Sequence, residues 1–468
     1  MKYFLDPFGC VKNQVDAENM MAHLNNAGWE CVTGAESSDL IIINSCGFIE
    51  SAKQESINAV LKWRKLFPDK KILLAGCLAQ RYAKELPGIL PEADVFMGTG
   101  NPAQIIQAAE KTRYASFNSQ FPAIKKTTHN PELLTGERPL LSLPGSAYVK
   151  ISEGCDNRCS FCAIPLIRGG LVSRSIPDIA EECRSHLSRG IKELCIIGQD
   201  IGSFGADMKN ENFIGAEIGR NNTENNLPEL LNAISALDGY FWVRLLYIHP
   251  DHFPPQILDL MERDKRFLPY FDIPFQHASA KILAAMNRNR LLKEPPAEKY
   301  LELIESIRAR LQGAVIRSTF LLGFPGETEE DFAALLDFQE KAALDWLGCF
   351  AYSREEGTES YSMKRRVSAK TAVMRKQIIE EKQISITEKN MKRFEGHEIE
   401  VLIEEKINAN ETDACGGETI WLGRSYFQAP DIDGSIVITG GRENLKTGVF
   451  YKCGIVASRG FDLEARVL

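Results

Sequence analysis

Short apolar runs alternate with stretches of helical periodicity along most of this chain, and that alternation limits the fold more than any other feature. Leu40 to Ile43 and Lys71 to Ala75 are too short for helices. They also lack the apolar–polar alternation of a strand with one wet face. Between them, Ser51 to Phe67 has the periodicity of an amphipathic helix. Strands without polar alternation, joined through helices, predict a parallel sheet covered on both faces. Residues 1–138 are therefore expected to form an α/β domain. Tyr114 to Leu143 loses the periodicity and holds Pro122, Pro131 and Pro139, which reads as a linker.

The alternation restarts after the linker. Strands are expected at Ala147–Ser152, Glu193–Ile197, Trp242–Ile248, Tyr270–Ile273, Ile316–Leu322 and Trp346–Phe350, with helices such as Asp178–Ser188 and Glu298–Leu311 between them. Six β–α units, two short of a closed (β/α)8 barrel, predict an open partial barrel over residues 139–393. Residues 206–226, rich in Asn and Gly, read as an insertion. Arg365 to Phe394 reads as a long polar helix bridging to a third domain. Residues 394–468 change grammar: short strand-like runs at Glu398–Ile403, Glu418–Leu422, Ser435–Ile438, Val449–Val456 and Asp462–Val467 predict a small five-stranded barrel. The fold class is α/β with a small all-β domain at the C-terminal end.

Charge and hydropathy narrow the function. The chain of 468 residues carries 55 basic and 63 acidic side chains, a net of -8, so its surface as a whole does not attract DNA or anionic lipid. No apolar run approaches the ~18 residues of a membrane span. At the N-terminus Asp6 and Pro7 come too soon for a signal peptide. A cytoplasmic protein is expected, with no membrane partner. In a reducing compartment its 12 cysteines are not a disulfide framework, and some of them point to metal or redox chemistry.

Three of these cysteines form the strongest motif. Cys155, Cys159 and Cys162, in Glu153-Gly154-Cys155-Asp156-Asn157-Arg158-Cys159-Ser160-Phe161-Cys162, have CxxxCxxC spacing and follow the first expected barrel strand. That strand end is where such barrels place their sites. Three thiolates on a tight loop hold three corners of a [4Fe–4S] cluster and leave one iron open. The amine and carboxylate of S-adenosylmethionine (SAM) can chelate that iron. A structural zinc loop would need a fourth ligand, and the next cysteine, Cys183, falls in an expected helix.

A second set is more dispersed. Cys10, Cys46 and Cys77 each end or follow a strand-like run, each beside a glycine. In an open parallel sheet those strand ends converge on one crevice, so the three thiols are candidates for a second cluster. Ordinary core packing is the competing reading. Cys195 and Cys349 lie within apolar strands and read as core.

These motifs resemble the methylthiotransferase group of radical SAM enzymes, over essentially the whole chain. The resemblance extends to Asn44–Lys53, to Tyr270-Phe271-Asp272-Ile273-Pro274-Phe275-Gln276-His277-Ala278-Ser279, and to Ser425 with Ala429-Pro430-Asp431-Ile432-Asp433-Gly434. In those segments the chain is most similar to the branch that modifies an aspartate of a ribosomal protein. Pro7-Phe8-Gly9-Cys10 departs from the family, which usually has Leu before Gly-Cys.

The resemblance implies an N-terminal methylthiotransferase domain, a radical SAM partial barrel and a C-terminal TRAM domain. It implies two [4Fe–4S] clusters, the radical cluster on Cys155, Cys159 and Cys162 and an auxiliary one on Cys10, Cys46 and Cys77. It places Gly198, Gln199 and Asp200 near the SAM amine, and Gly323 and Gly326 near the adenosyl group. Arg168 would neutralise cluster or SAM carboxylate charge, and Gln276 would face the rim of the site. Asp200 could equally cap the next helix, Thr328 and Asp331 could start a plain helix after the glycine turn, and His277 could be structural.

The implied reaction puts a methylthio group on the β-carbon of an aspartate in small-subunit ribosomal protein S-twelve. No side-chain base is strong enough to take that proton, so a radical is needed. The implied partners are the ribosomal protein, an electron donor and a sulfur source. Residues 396–468 hold twelve acidic and seven basic side chains, a net of -5 that suits a basic protein better than phosphates. The alternatives are the same chemistry on tRNA adenosine, and a non-enzymatic metal-binding RNA-binding module.

Overall fold

The computed structural model describes residues 1–111, 138–208, 227–288, 295–407, 419–439 and 445–468. Most of the expected linker, most of the insertion at 206–226, and Cys415 lie outside them.

Packing groups the chain into two compact units. The first comprises Met1–Leu141, Lys150–Glu182 and Ser353–Ser362; the second comprises Ser142–Val149, Cys183–Tyr352 and Met363–Leu468. The sequence boundaries at 138 and 393 therefore do not coincide with the packing units. The CxxxCxxC loop lies in the same unit as Cys10, Cys46 and Cys77.

The first unit is built on a parallel five-stranded sheet in the order Glu30–Cys31, Lys2–Pro7, Leu40–Ser45, Lys71–Gly76, Val95–Met97. The unbroken apolar run in Leu40–Ser45 follows from having a core on each face. Leu40 and Ile42 pack with Met20 and Leu24 of the helix Val11–Asn26. Ile41 and Ile43 pack on the other side with Val60 of the helix Glu50–Leu66, and with Leu78.

The second unit holds the six expected barrel strands as one open sheet, in chain order from Ser146–Lys150 through Glu193–Ile197, Trp242–Leu245, Phe267–Asp272 and Val315–Leu322 to Trp346–Ala351. Each pairing from the second strand onward is parallel. The first expected strand is shorter than Ala147–Ser152. It stops at Lys150, and Ser152–Glu153 pairs antiparallel with Val172–Ser173 instead. That ribbon belongs to the first unit and encloses the cysteine loop.

The long helix is Ala369–Met391, with Ser368 accepting the Thr371 N–H as its N-cap. It is more than a bridge. Its buried polar residues serve the barrel's last turns: Gln383 Nε2 donates to the Leu344 carbonyl and Thr387 Oγ1 to the Asp345 carbonyl, each at 2.8 Å.

The five C-terminal strands close into a barrel in the order Glu398–Ile407, Ile420–Arg424, Ile436–Ile438, Asp462–Val467, Phe450–Arg459. Buried charges lock it to the large sheet. Glu193, at the start of its strand, takes Arg244 at 2.7 Å and Arg424 at 2.6 Å. Asp433 takes the Tyr270 hydroxyl at 2.6 Å, and its other oxygen lies 3.5 Å from Arg317. Segments singled out by the resemblance, Tyr270–Asp272 and Ala429–Gly434, thus meet here as a docking seam.

Candidate active site

The N-terminal thiols sit where three parallel strands end. Cys10 is the N-cap of Val11–Asn26, Cys46 follows Leu40–Ser45, and Cys77 opens a short helix after Lys71–Gly76. The glycines permit close approach of the loops. A Cβ on Gly9 would stand 3.0 Å from Cys46 Cβ, and one on Gly47 would stand 2.8 Å from the Cys77 carbonyl carbon. Asn13 ties the loops together. Its Nδ2 lies 2.6 Å from the Phe8 carbonyl oxygen, 3.2 Å from that of Asn44 and 3.3 Å from that of Ser45. Asn44 Nδ2 answers by donating to the Asn13 carbonyl at 2.7 Å.

The CxxxCxxC loop is held by the Cys155 N–H on the Gly169 carbonyl (3.2 Å) and the Cys162 N–H on the Cys159 carbonyl (3.0 Å). All three of its cysteines are half-buried. The short helix that follows, Ile164–Arg168, links the two sets. Ile167 and Ala163 pack against Cys77, with Phe48 beside them. Arg168 ends that helix, and its Nη2 lies 3.4 Å from Cys77 Sγ and 2.9 Å from Asp16 Oδ2. Its Nη1 donates to Glu153 at 2.7 Å. Lys150 closes the ring by pairing with Glu153 at 2.7 Å and with Asp16. The resemblance gives Arg168 the neutralisation of cluster or SAM carboxylate charge. The structure places it, buried, on the other cysteine set.

These surroundings set the ionisation. Protein atoms crowd the Cys10 thiol, but that desolvation is outweighed by the charges of Lys12 and Arg168 and by the N–H groups of Asn13 and Lys12, so it is held below the usual thiol range. Burial raises Cys46, with a further upward push from Cys10. Burial also pushes Cys77 up to about 11, against the pull of Arg168. Burial works against the Glu153 carboxylate too, yet Arg168 and Lys150 hold it well below the usual carboxylate range.

Among the described residues, no three Cys, His, Asp or Glu side chains form the shell of a single metal ion, and none of the described cysteines is in a disulfide. What fits a cluster is the donor chemistry. Two three-thiol sets lie on loops held by backbone hydrogen bonds, and a buried cation stands against one of them.

The second unit carries the remaining expected residues. Gly198 and Gln199 follow Glu193–Ile197. Asp200 does not have its carboxylate free. It accepts from the Gly202 and His249 N–H groups, both at 3.1 Å, from Ser203 Oγ at 2.8 Å, and pairs with His252 Nδ1 at 2.6 Å. The capping reading is the one its geometry supports. That contact raises the His252 pKa.

Gln276 has φ +68, unusual for a side chain of its type. The turn is imposed by its backbone, which bonds on both sides to Val315–Leu322: Gln276 N–H to the Thr319 carbonyl and Leu321 N–H to the Gln276 carbonyl, each 2.8 Å. His277 is structural; its Nδ1 accepts the Ala278 and Ser279 N–H groups at 3.0 Å, and burial lowers its pKa to about 4.

Gly323 has φ +77, and a Cβ there would stand 2.3 Å from Ala372 Cβ. Its turn is therefore required by the long helix. Glu327 braces the turn, accepting the Gly323 N–H at 2.7 Å and pairing with Arg375 at 2.6 Å. Gly326, at φ +89, has nothing within 4 Å of its would-be Cβ. Thr328 and Asp331 form a reciprocal capping box, the plain helix start.

Sequence reasoning missed Asn13, Asp16 and Lys150 as site residues and assigned no role to Glu153. The only local signal was that Asn13 and Asp16 stand three and six residues after a glycine-preceded cysteine. Arg424, Glu404 and Asp433 are spent inside the seam or barrel. With these three set aside, residues 396–468 still hold ten acidic and six basic side chains, so the segment stays net acidic.

An open sheet of six strands, a CxxxCxxC loop and a C-terminal barrel are the elements of a radical SAM enzyme with a TRAM domain. The matches agree: residues 149–338 match the Radical SAM superfamily, 396–468 the TRAM domain, and 2–98 the uncharacterized protein family UPF0004. The solved structure of TsrM from Kitasatospora setae, a radical SAM methyltransferase with cobalamin and a [4Fe–4S] cluster bound, superposes with a TM-score of 0.54. At 14% identity over 77% of this chain and 73% of that one, it supports the fold alone.

Full-length relatives are much closer. The ribosomal protein uS12 methylthiotransferase RimO of Treponema denticola is 46% identical over 98% of this chain and 99% of its own. The RimO of Pseudothermotoga lettingae is 37% identical over the whole of both. The chain belongs to the RimO methylthiotransferase family.

Proposed function

We propose that this enzyme methylthiolates the β-carbon of an aspartate in small-subunit ribosomal protein uS12, using SAM and two [4Fe–4S] clusters. The observation that carries the reading is that both three-cysteine sets lie in one compact unit, joined through Ile164–Arg168 on Cys77. Full-length relatives named for uS12 support the substrate over tRNA. The net acidity of residues 396–468 points the same way.

In this reading Cys155, Cys159 and Cys162 hold the radical cluster, and Cys10, Cys46 and Cys77 hold the auxiliary one. When bound, these groups supply reductive cleavage of SAM and carriage of the sulfur. The chain's own work is positional. Asn13 fixes three thiol loops in mutual register. Asp16, Glu153, Lys150 and Arg168 tie the ribbon ahead of Cys155 to the auxiliary loops. Gly198, Gln199, Gly323, Gly326 and Gln276 are the proposed SAM-side surface, with Gly326 leaving open space. Asp200 supports that surface by capping the turn that follows it.

Among the described residues no helix is long and apolar enough to cross a membrane. We propose that the enzyme works in the cytoplasm, supplied by an electron donor and a sulfur source.

The test uses anaerobically reconstituted enzyme with SAM, a reductant and sulfide, offered uS12 and, separately, unmodified tRNA. Mass spectrometry is expected to find a methylthio increment on an aspartate of uS12. An increment on tRNA alone would overturn the substrate. About four irons per chain would overturn the two-cluster reading, and zinc in their place would point to the binding module.

A further inference from the structure

Arg168 is shared by two loops that the chain separates by more than 70 residues. Its side chain is 1% exposed. One nitrogen, Nη2, faces Cys77 Sγ at 3.4 Å, Asp16 Oδ2 at 2.9 Å and Asn13 Oδ1 at 3.5 Å, while Nη1 faces Glu153 Oε1 at 2.7 Å. A planar guanidinium can satisfy several acceptors in fixed directions, which an ammonium cannot. With Lys150 the group is two cations and two carboxylates, so its formal charge is zero. That balance lets a cation sit buried without a large net penalty. The charge is nonetheless unevenly placed, because it is Arg168 that touches the thiol.

We propose that Arg168 is a positioning residue that sets the reduction potential of the auxiliary cluster, by donating a hydrogen bond to Cys77 Sγ while Asp16 and Glu153 hold it in place. This rests on the assignment of that cluster to Cys10, Cys46 and Cys77. The couple is one electron added to a [4Fe–4S]2+ core, giving [4Fe–4S]+. With three thiolates the net charge passes from -1 to -2. A buried N–H donor and positive charge favour the more negative state and raise the potential. Loss of Arg168 leaves the ring at -1 and lowers the potential. Loss of the Asp16 charge leaves it at +1 and raises the potential. A merely structural role predicts no such opposite pair.

The test is an EPR-monitored titration of reconstituted full-length protein with dithionite. It is made in a Cys155→Ala/Cys159→Ala/Cys162→Ala background, so that one cluster titrates. Arg168→Gln is expected to make the reduction equilibrium at least tenfold less favourable, a shift of about 59 mV to more negative potential. Asp16→Asn is expected to shift it the other way, and Arg168→Lys to lie nearer the parent than Arg168→Gln. A loaded Arg168→Gln protein with the parent's midpoint overturns the proposal, as does a negative shift in Asp16→Asn. If Arg168→Gln does not take up iron, Asp16→Asn and Arg168→Lys decide by the same signs. If the background protein with Arg168 intact binds no iron, the cluster assignment itself falls, and the tuning role with it.

Discussion

Asn13→Ala probes how the auxiliary thiols are held in register. The side chain's NH2 group has two hydrogens and faces three carbonyl oxygens, of Phe8 at 2.6 Å, Asn44 at 3.2 Å and Ser45 at 3.3 Å. The Asn44 carbonyl also receives the Phe8 N–H at 2.9 Å and stays satisfied. The Phe8 and Ser45 carbonyls lose this donor. Each is worth about 1 kcal/mol as a net hydrogen bond, and more if left buried without a partner, giving roughly 3 kcal/mol in all.

Because the chain has two compact units, a single global unfolding curve would blur this loss. Hydrogen exchange resolves it. Peptides covering Lys2–Pro7 and Leu40–Ser45 are expected to open about a hundredfold more readily, while those of the six-stranded sheet are unchanged. Iron after reconstitution should fall from about eight to about four per chain, because the register of Cys10 and Cys46 is lost. Exchange within threefold of the parent, together with full iron, would show that Asn13 does not organise the loops.

Further outcomes follow from the second unit. Gly323→Ala and Gly326→Ala each force an alanine to positive φ, at a cost of about 1–2 kcal/mol. Only Gly323→Ala also drives a methyl into Ala372, so its denaturant midpoint should fall clearly below that of Gly326→Ala; equal midpoints would discount the clash. Arg424→Met takes the cation from buried Glu404 and leaves Glu193 with Arg244 and the Ser146 hydroxyl; it should cost about 3–5 kcal/mol, read as earlier proteolysis of the C-terminal barrel. Unchanged proteolysis would mean that the seam is held by other contacts.

His277 supplies a pH test, because its folded pKa of about 4 lies below the ordinary 6.5. Between those values the unfolded chain binds the proton and the folded chain does not. The stabilisation is therefore complete above pH 6.5 and is lost as pH falls toward 4, by up to about 3 kcal/mol. Unfolding of the apoprotein at pH 7.5 and 5.0 should differ by about 2 kcal/mol from this group, and His277→Gln should flatten the difference. An identical pH slope in His277→Gln would assign the effect to other groups.

The strands and the six cysteine positions were legible because each leaves a local trace. Burial on both faces writes an unbroken apolar run such as Leu40–Ile43, and the spacing of Cys155, Cys159 and Cys162 stands out on one short loop. Buried polar pairing writes nothing comparable. Asp16 and Arg168 are 152 residues apart, and neither neighbourhood announces the other. Arg168 was visible as a cation after the cysteine loop, but its partner thiol was not. For the same reason Gln383 and Thr387 made the long helix look solvated, although they reach inward to backbone carbonyls.

The same kind of pairing takes Arg424, Glu404 and Asp433 inside the fold, yet the acidic balance of residues 396–468 survives without them, ten acidic side chains against six basic. The segments that mark the ribosomal-protein branch show the consequence for function. Tyr270 and Asp433 meet as a hydrogen-bonded pair at 2.6 Å, which couples the C-terminal barrel to the large sheet instead of presenting a surface to substrate. What those residues control is how the barrel is carried. The seam fixes how the C-terminal barrel is seated on the large sheet, with Asp433 held from that side by both Tyr270 and Arg317. Tyr270→Phe, which removes one hydroxyl from the seam and leaves the Arg317 pair with Asp433, should therefore loosen the barrel and bring earlier proteolysis of residues 396–468; an unchanged cleavage rate would show that the Arg317 pair holds the seam without it.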